Sequence, residues 1–205
     1  MPITVDTTKA LTTLATLKIY LGIAVSDTTS DELLSLLINS VSSIAESYCD
    51  RSFNKQTGLT EQYDGSGNSW LYPKTLPIIS VTSIHDDTDR NFTSSYLIDS
   101  ADYVVYEHGV RLDGSTFNKG IKNVKIVYTA GYVLPNIASP NLPKDLEMAV
   151  LYYCAFLFKN KNKQGIASEK VGDVSFSYTN DYDTNPSAIP FETKSIFNKY
   201  RRFVL

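Results

Sequence analysis

The apolar positions of this chain switch between a helical and an alternating period, and each switch marks a different kind of element. Over residues 13–21 ("TLATLKIYL") Leu14, Leu17 and Leu21 fall at helical spacing, and Gly22 follows where a left-handed C-cap sits, so a short first helix is expected. A second helix is signalled by "TSDE", with Thr29 as cap and Glu32 reaching back three residues later. Its apolar stripe runs through Leu33, Leu34, Leu37, Ile38, Val41, Ile44, Ala45 and Tyr48, and "CDRSF" ends the pattern near Cys49.

Beyond Phe53 the period becomes alternating. The turn-rich pieces "DGSGNS", "HDDTDR" and "EHG" separate "WLY", "PIISVTSI", "DYVVYE" and "NVKIVYTAGY", which are rich in the Val, Ile and Tyr that suit a pleated surface. An antiparallel β-domain is therefore expected as an insert over residues 54–141, with its strands between about Glu61 and Tyr132. "DGSGNS", residues 64–69, is read as a hairpin turn, and "HDDTDR", His85 to Arg90, as a polar hairpin tip.

Helical spacing returns in "LPKDLEMAVLYYCAFLFK", where Pro143 suits a first turn and Asp145 and Glu147 suit the positive end of the helix dipole. Residues 148–158 are apolar on every side, and such a helix needs neighbours all round it. Either it lies at the centre of the bundle beneath the β-insert, or another subunit covers part of it. A last helix, "PFETKSIFNKYRRF", opens at Pro190. The predicted class is α+β: a small bundle of about four helices drawn from residues 1–53 and 142–205, the β-insert, and an extended loop or strand over residues 165–190 before the C-terminal helix.

That stretch between the last two helices is unusually rich in serine. "KNKNKQ" leads out of the third helix, Gly165 breaks it, and Val174, Phe176 and Tyr178 alternate with Ser175, Ser177 and Thr179. The pattern is that of an edge strand with no sequential neighbour. Its backbone groups must find the β-insert, water or another chain, the alternative being a surface loop packed by its own side chains.

Composition narrows the function. A chain of 205 residues with 42% apolar content can bury one substantial core or two small ones without metal or disulfide staples. The net charge of −3 and an acidic pI give no general attraction to nucleic acid or anionic membranes. The N-terminal "MPITVDTTKAL" has no basic-then-apolar export pattern, and the longest apolar run is too short to span a bilayer. Cys49 and Cys154, both on apolar helix faces, are expected as free buried thiols.

Catalytic signatures are missing. Two histidines, His85 and His108, leave little for a triad or a histidine metal site. The carboxylates Asp86, Asp87 and Asp89 lack the glycine and distal glutamate of a calcium loop, which leaves a metal-dependent hydrolase as a remote alternative. "DGSGNS" has no lysine and runs into "WLYP" rather than a helix, unlike a phosphate-binding loop. No catalytic residue, metal ligand or cofactor is assigned. Fourteen tyrosines and Trp70 fit either core and subunit interface or an aromatic-rich glycan- or ligand-binding module, the main rival reading.

Charge is unevenly placed. From Phe191 onward Lys194, Lys199, Arg201 and Arg202 stand against Glu192, a net +3 that leaves −6 on the rest of the chain. Two uses fit: complementing a helix C-terminus, or contacting an acidic partner surface. The apolar Phe203, Val204 and Leu205 beyond the basic pair favour a contact.

In order and spacing, "LTTLATLKIYLGI", "TSDELLSLLINSVSSIAESYCDRSF", "YPKTLPIISVTSI", "LPKDLEMAVLYYCAFLFKNK", "GIASEKVGDVSFSY" and "KYRR" together resemble the head-tail connector, or head-completion adaptor, proteins of tailed bacteriophages. The resemblance spans nearly the whole chain. It implies a structural, non-enzymatic virion neck protein, made in the host bacterial cytoplasm and placed at the portal vertex. It also implies a homo-oligomeric ring of roughly twelve copies closed by a head-to-tail interface. The implied partners are the portal protein, the next neck or tail-completion protein, and viral DNA passing through the lumen without sequence-specific binding; no membrane is involved. Within residues 165–190 the "GIASEKVGDVSFSY" match implies a subunit-interface segment carrying Gly165, Ile166, Val171, Val174, Phe176 and Tyr178. The terminal match implies a portal-facing tail of Lys199, Tyr200, Arg201, Arg202, Phe203, Val204 and Leu205. An acidic body fits a DNA conduit, since a lumen of like charge lets the duplex slide.

Overall fold

The computed structural model describes residues 2–161, 168–171, 174–177 and 189–202. The chain divides into two compact units, Met1–Asp50 with Leu142–Leu205, and Arg51–Asn141.

The first unit is helical: α1 (Leu14–Leu21), α2 (Asp31–Cys49), α3 (Lys144–Asn160) and α4 (Phe191–Tyr200). Thr13 caps α1, its hydroxyl accepting from the Thr16 N–H at 3.0 Å. At the other end Gly22 takes φ 73°, a left-handed turn that lets Gly22 and Ile23 donate to the carbonyls of Ile19 and Lys18. The expected capping box on α2 does not form. Ser30, not Thr29, directly precedes the helix and makes no side-chain cap, while Thr29 lies in a turn in which its N–H donates to the Asp27 carboxylate at 3.0 Å. The stripe of α2 buries Leu34, Ile38, Val41, Ala45 and Cys49, and a fully buried side chain of the Leu, Ile or Val type contributes about 1.5–3 kcal/mol. α3 packs against α1, α2 and α4, the central position its apolar surface asks for, although Met148 remains 49% exposed.

The second unit holds six strands: β1 (Gln56–Gly65), β2 (Trp70–Leu71), β3 (Ile78–Asp86), β4 (Tyr103–Tyr106), β5 (Gly109–Leu112) and β6 (Gly120–Ala130). They form two antiparallel three-stranded sheets, β1-β6-β3 and β2-β5-β4. From Val124 on, the long central β6 alternates buried Val124, Ile126, Tyr128 and Ala130 with the less buried Lys125, Val127 and Thr129, and the buried residues join Ile84, Leu71, Val110, Leu112 and Phe117 in one core.

Residues 64–69 are not a hairpin turn. β1 pairs with β6 and β2 with β5, so this stretch carries the chain from one sheet to the other. The buried Asn123 secures the crossing: its Oδ1 accepts from the Gly65 N–H at 2.8 Å, while its Nδ2 donates to Asp86 and to the Asn118 carbonyl, both at 2.9 Å. A side chain at Gly65 would meet the Asn118 carbonyl oxygen at 1.7 Å. The turn residues allow any reversal, and pairing of apolar strands distant in sequence decides which one forms. Residues 107–108, by contrast, do close a tight hairpin between β4 and β5.

Between α3 and α4 the expected lone strand is one arm of a ribbon, since β7 (Ser168–Val171) pairs antiparallel with β8 (Val174–Ser177). The partner strand "SEKV" has no apolar alternation of its own.

Candidate functional site

The C-terminal helix is held to the bundle by both packing and polar contacts. Phe197 is fully buried, its ring centroid 6.0 Å from that of Tyr48, and the Thr193 hydroxyl donates to the Ala149 carbonyl at 3.3 Å. Tyr48 donates to Asn198 at 2.7 Å. The basic tail is engaged within its own unit. Tyr200 donates to Asp145 Oδ1 at 2.5 Å, with Lys199 Nζ 3.7 Å from Oδ2 of the same carboxylate. Arg201 lies over the Tyr48 ring at 5.8 Å. Arg202 gives its backbone N–H to the Cys49 carbonyl at 2.9 Å and its guanidinium to Asp50 at 3.6 Å, so it serves the free carbonyl end of α2. Of the expected portal-facing tail, Lys199, Tyr200, Arg201 and Arg202 are thus brought together around the ends of α2 and α3, whereas Phe203, Val204 and Leu205 lie outside the described residues.

In the expected subunit-interface segment, Val171 belongs to β7, and Val174 and Phe176 to β8. Gly165, Ile166 and Tyr178 lie outside the described residues.

Asp86, which ends β3, and Asp87, which follows it, are occupied by backbone donors. Asp86 accepts from the Asn118 N–H at 2.7 Å, and Asp87 from the N–H groups of Asp89, Asn91 and Phe92 at 2.8–2.9 Å. Burial works to raise the Asp87 carboxyl, but the N–H groups of Phe92, Asp89, Asn91 and Arg90 outweigh it and hold the pKa below the usual aspartate range. Next to it, burial first and the Lys125 charge second lower the His85 pKa, against the pull of Asp87. Among the described residues no group of three or more His, Cys, Asp or Glu side chains could hold a metal ion, and no helix is long and apolar enough to cross a membrane. Cys49 and Cys154 are buried thiols that form no disulfide.

The aromatic residues of the second sheet gather around Trp70. Tyr72 stacks on it at 5.6 Å and 3°, His108 at 5.7 Å and 22°, and Tyr106 tilts against it at 5.1 Å. A flat sugar platform presents ring faces side by side to solvent, whereas these faces cover one another.

Two residues with structural or surface roles were passed over in the sequence. Lys18 completes the i, i+3, i+4, i+7 stripe of Leu14, Leu17 and Leu21, a position that foretells burial. It is 2% exposed, and its ammonium donates to the carbonyls of Val25 at 3.1 Å and Asp27 at 2.7 Å while pairing with Asp31 at 2.5 Å. Arg111 stands on the outward face of β5, a strand too short for its period to be read.

The fold is thus a four-helix unit interrupted in sequence by an antiparallel β-unit, with the basic tail tied down within the helical unit. The family model described as "Head completion protein" matches residues 10–203, and the chain belongs to that family. No curated protein matches it. Among solved structures the fold is similar to a chain in "Neck of empty GTA particle computed with C6 symmetry", at TM-score 0.54 and 15% identity over 98% of this chain and 93% of that one. It is similar also to a chain in "Virion of native gene transfer agent (GTA) particle" (TM-score 0.54, 16% identity) and to one in "Neck of native GTA particle computed with C12 symmetry" (0.53, 14%), with the same coverage of 98% and 93%.

Proposed function

We propose that this chain is a structural neck protein whose copies close into a ring that joins the portal of a capsid to the tail and lengthens the DNA channel. The observation that carries this reading is the family match over residues 10–203. The fold it shares with neck chains of gene transfer agent particles supports it, and one of those necks was computed with C12 symmetry. The role asks for no catalysis and no cofactor.

In this reading the segment 165–178 contributes to the contact between copies, and Lys199 to Leu205 form the tail that meets the portal. The contacts of Lys199, Tyr200, Arg201 and Arg202 with α2 and α3 support a tail anchored to the bundle. The next neck or tail-completion protein binds the far side of the ring, and the acidic body leaves DNA free to slide.

Electron microscopy of the purified protein, alone and mixed with portal, tests the proposal. Annular particles are expected; a protein that stays monomeric in both samples and is found as single copies in mature particles overturns it. Tight DNA binding by the isolated ring at low salt would contradict the sliding lumen.

A further inference from the structure

The sheet β2-β5-β4 carries apolar side chains on both faces. Its inner face sends Leu71, Val110 and Leu112 into the core. On the outer face one row crosses the three strands from Trp70 through Arg111 to Val104, and the next places Tyr106 opposite Gly109 with the Tyr72 ring against that glycine. The outer face of an antiparallel sheet is ordinarily polar. Here Tyr72 is 48%, Val104 47% and Tyr106 38% exposed.

Gly109 makes the arrangement possible, because a Cβ there would stand 3.0 Å from the Tyr72 ring and 2.9 Å from the Leu71 carbonyl oxygen. The rings brace one another, so covering them costs little side-chain freedom. Arg111 is the exposed side chain of β5, and among the described residues its guanidinium, like that of Arg90, has no ion pair or hydrogen bond, whereas Arg51, Arg201 and Arg202 are each engaged. Trp, Tyr and Arg together are the residue types that dominate protein–protein binding energy.

We propose that this face is a contact between copies of the chain, with Arg111 meeting an acidic, partly apolar corner on the helical unit of the next copy; the inference rests on the ring reading above. The body of the chain is acidic, so neighbouring copies repel unless a cation enters the contact. The first turn of α2 provides a complement. Glu32 is exposed and among the described residues carries no ion pair or hydrogen bond, Leu36 one turn later is 44% exposed, and Val25, tied through Lys18 to Asp31, is 55% exposed. The two surfaces differ, as a head-to-tail contact that propagates around a ring requires.

The test is a charge swap, with circular dichroism confirming the fold of each variant. Arg111→Glu and Glu32→Arg should each weaken self-association about tenfold or more, measured by sedimentation and by counting annular particles at low salt, and the double variant should recover most of it. Trp70→Ala should weaken it at any salt concentration. Folded single variants that assemble like the wild type overturn the contact, and single losses without recovery in the double overturn the Glu32 pairing. A wild-type protein that never self-associates, with portal or without, sinks the ring reading itself; a ring-forming wild type indifferent to these substitutions sinks only this contact.

Discussion

Tyr200, the last residue of α4, donates its phenolic proton to Oδ1 of Asp145 in the first turn of α3, at 2.5 Å. The Tyr200 hydroxyl is the main cause holding the Asp145 carboxyl below its ordinary 3.8; burial opposes it, and the Leu146 N–H and Lys199 assist. A lowered carboxylate pKa contributes stability that is complete above the ordinary value and is lost as pH falls through the lowered one. Tyr200→Phe should therefore cost about 1 kcal/mol at neutral pH, and the gap from wild type should close in acid. Urea unfolding at neutral pH and in acid measures this, and a gap that stays constant contradicts it.

Lys18 clamps the loop between α1 and α2 through two carbonyls and Asp31. Replacing it by alanine leaves these acceptors without their donor in a water-poor site, and the expected loss is about 2–3 kcal/mol. Lys9→Ala, at an exposed lysine, is the control and should stay within about 0.5 kcal/mol. Equal effects of the two substitutions in chemical denaturation would refute the clamp.

Phe197 anchors α4, so Phe197→Ala should lower stability by about 3–4 kcal/mol. A cut after Pro190 removes Phe197 and Thr193 from the core. A chain ending at Arg202 should melt like the full protein and one ending at Pro190 well below it. Only the former can separate attachment from folding.

The Cys154 thiol is pushed up to about 12 by burial, and Cys49 is likewise fully buried. At pH 8 only about one part in ten thousand of a thiol with such a pKa is thiolate. Native protein should label with a thiol reagent no faster than it opens, and both thiols should react at once in denaturant. Rapid labelling of folded protein would place a thiol at the surface.

Much of the architecture was legible because it follows from local period. The stripe of α2, the Gly22 cap, the all-round apolar α3 and the alternation of β6 each express one element burying one face, a property of ten to twenty consecutive residues. The failures occurred where two signals of equal strength competed. Thr29 could cap α2 or join a turn before it, and it joins the turn closed by Asp27, which leaves Ser30 next to the helix. Residues 64–69 carry turn chemistry, but chemistry of that kind does not say which strand comes next in the sheet.

Of the candidate site, the residue types were legible and their partners were not. A basic tail after an apolar helix is visible in "KYRRF", whereas its ties to Tyr48, Asp50 and Asp145 join residues from about fifty to about one hundred and fifty positions apart. Trp70, Tyr106 and Arg111 share a surface only because β5 lies between β2 and β4, and no short window of sequence carries that order.

By itself, then, the sequence determined the helices and the longer strands, the apolar face of each, and that the chain is α+β, since side-chain burial and backbone preference act over a few residues; it did not determine the short β5 or β7. Tertiary structure alone decided the two sheet orders, the pairing of Lys18 with Asp31, the capture of the basic tail by α2 and α3, and the exposed aromatic face around Arg111. Those outcomes depend on which distant surfaces cover one another, and that choice is made by the whole chain minimising exposed apolar area and unpaired polar groups at once.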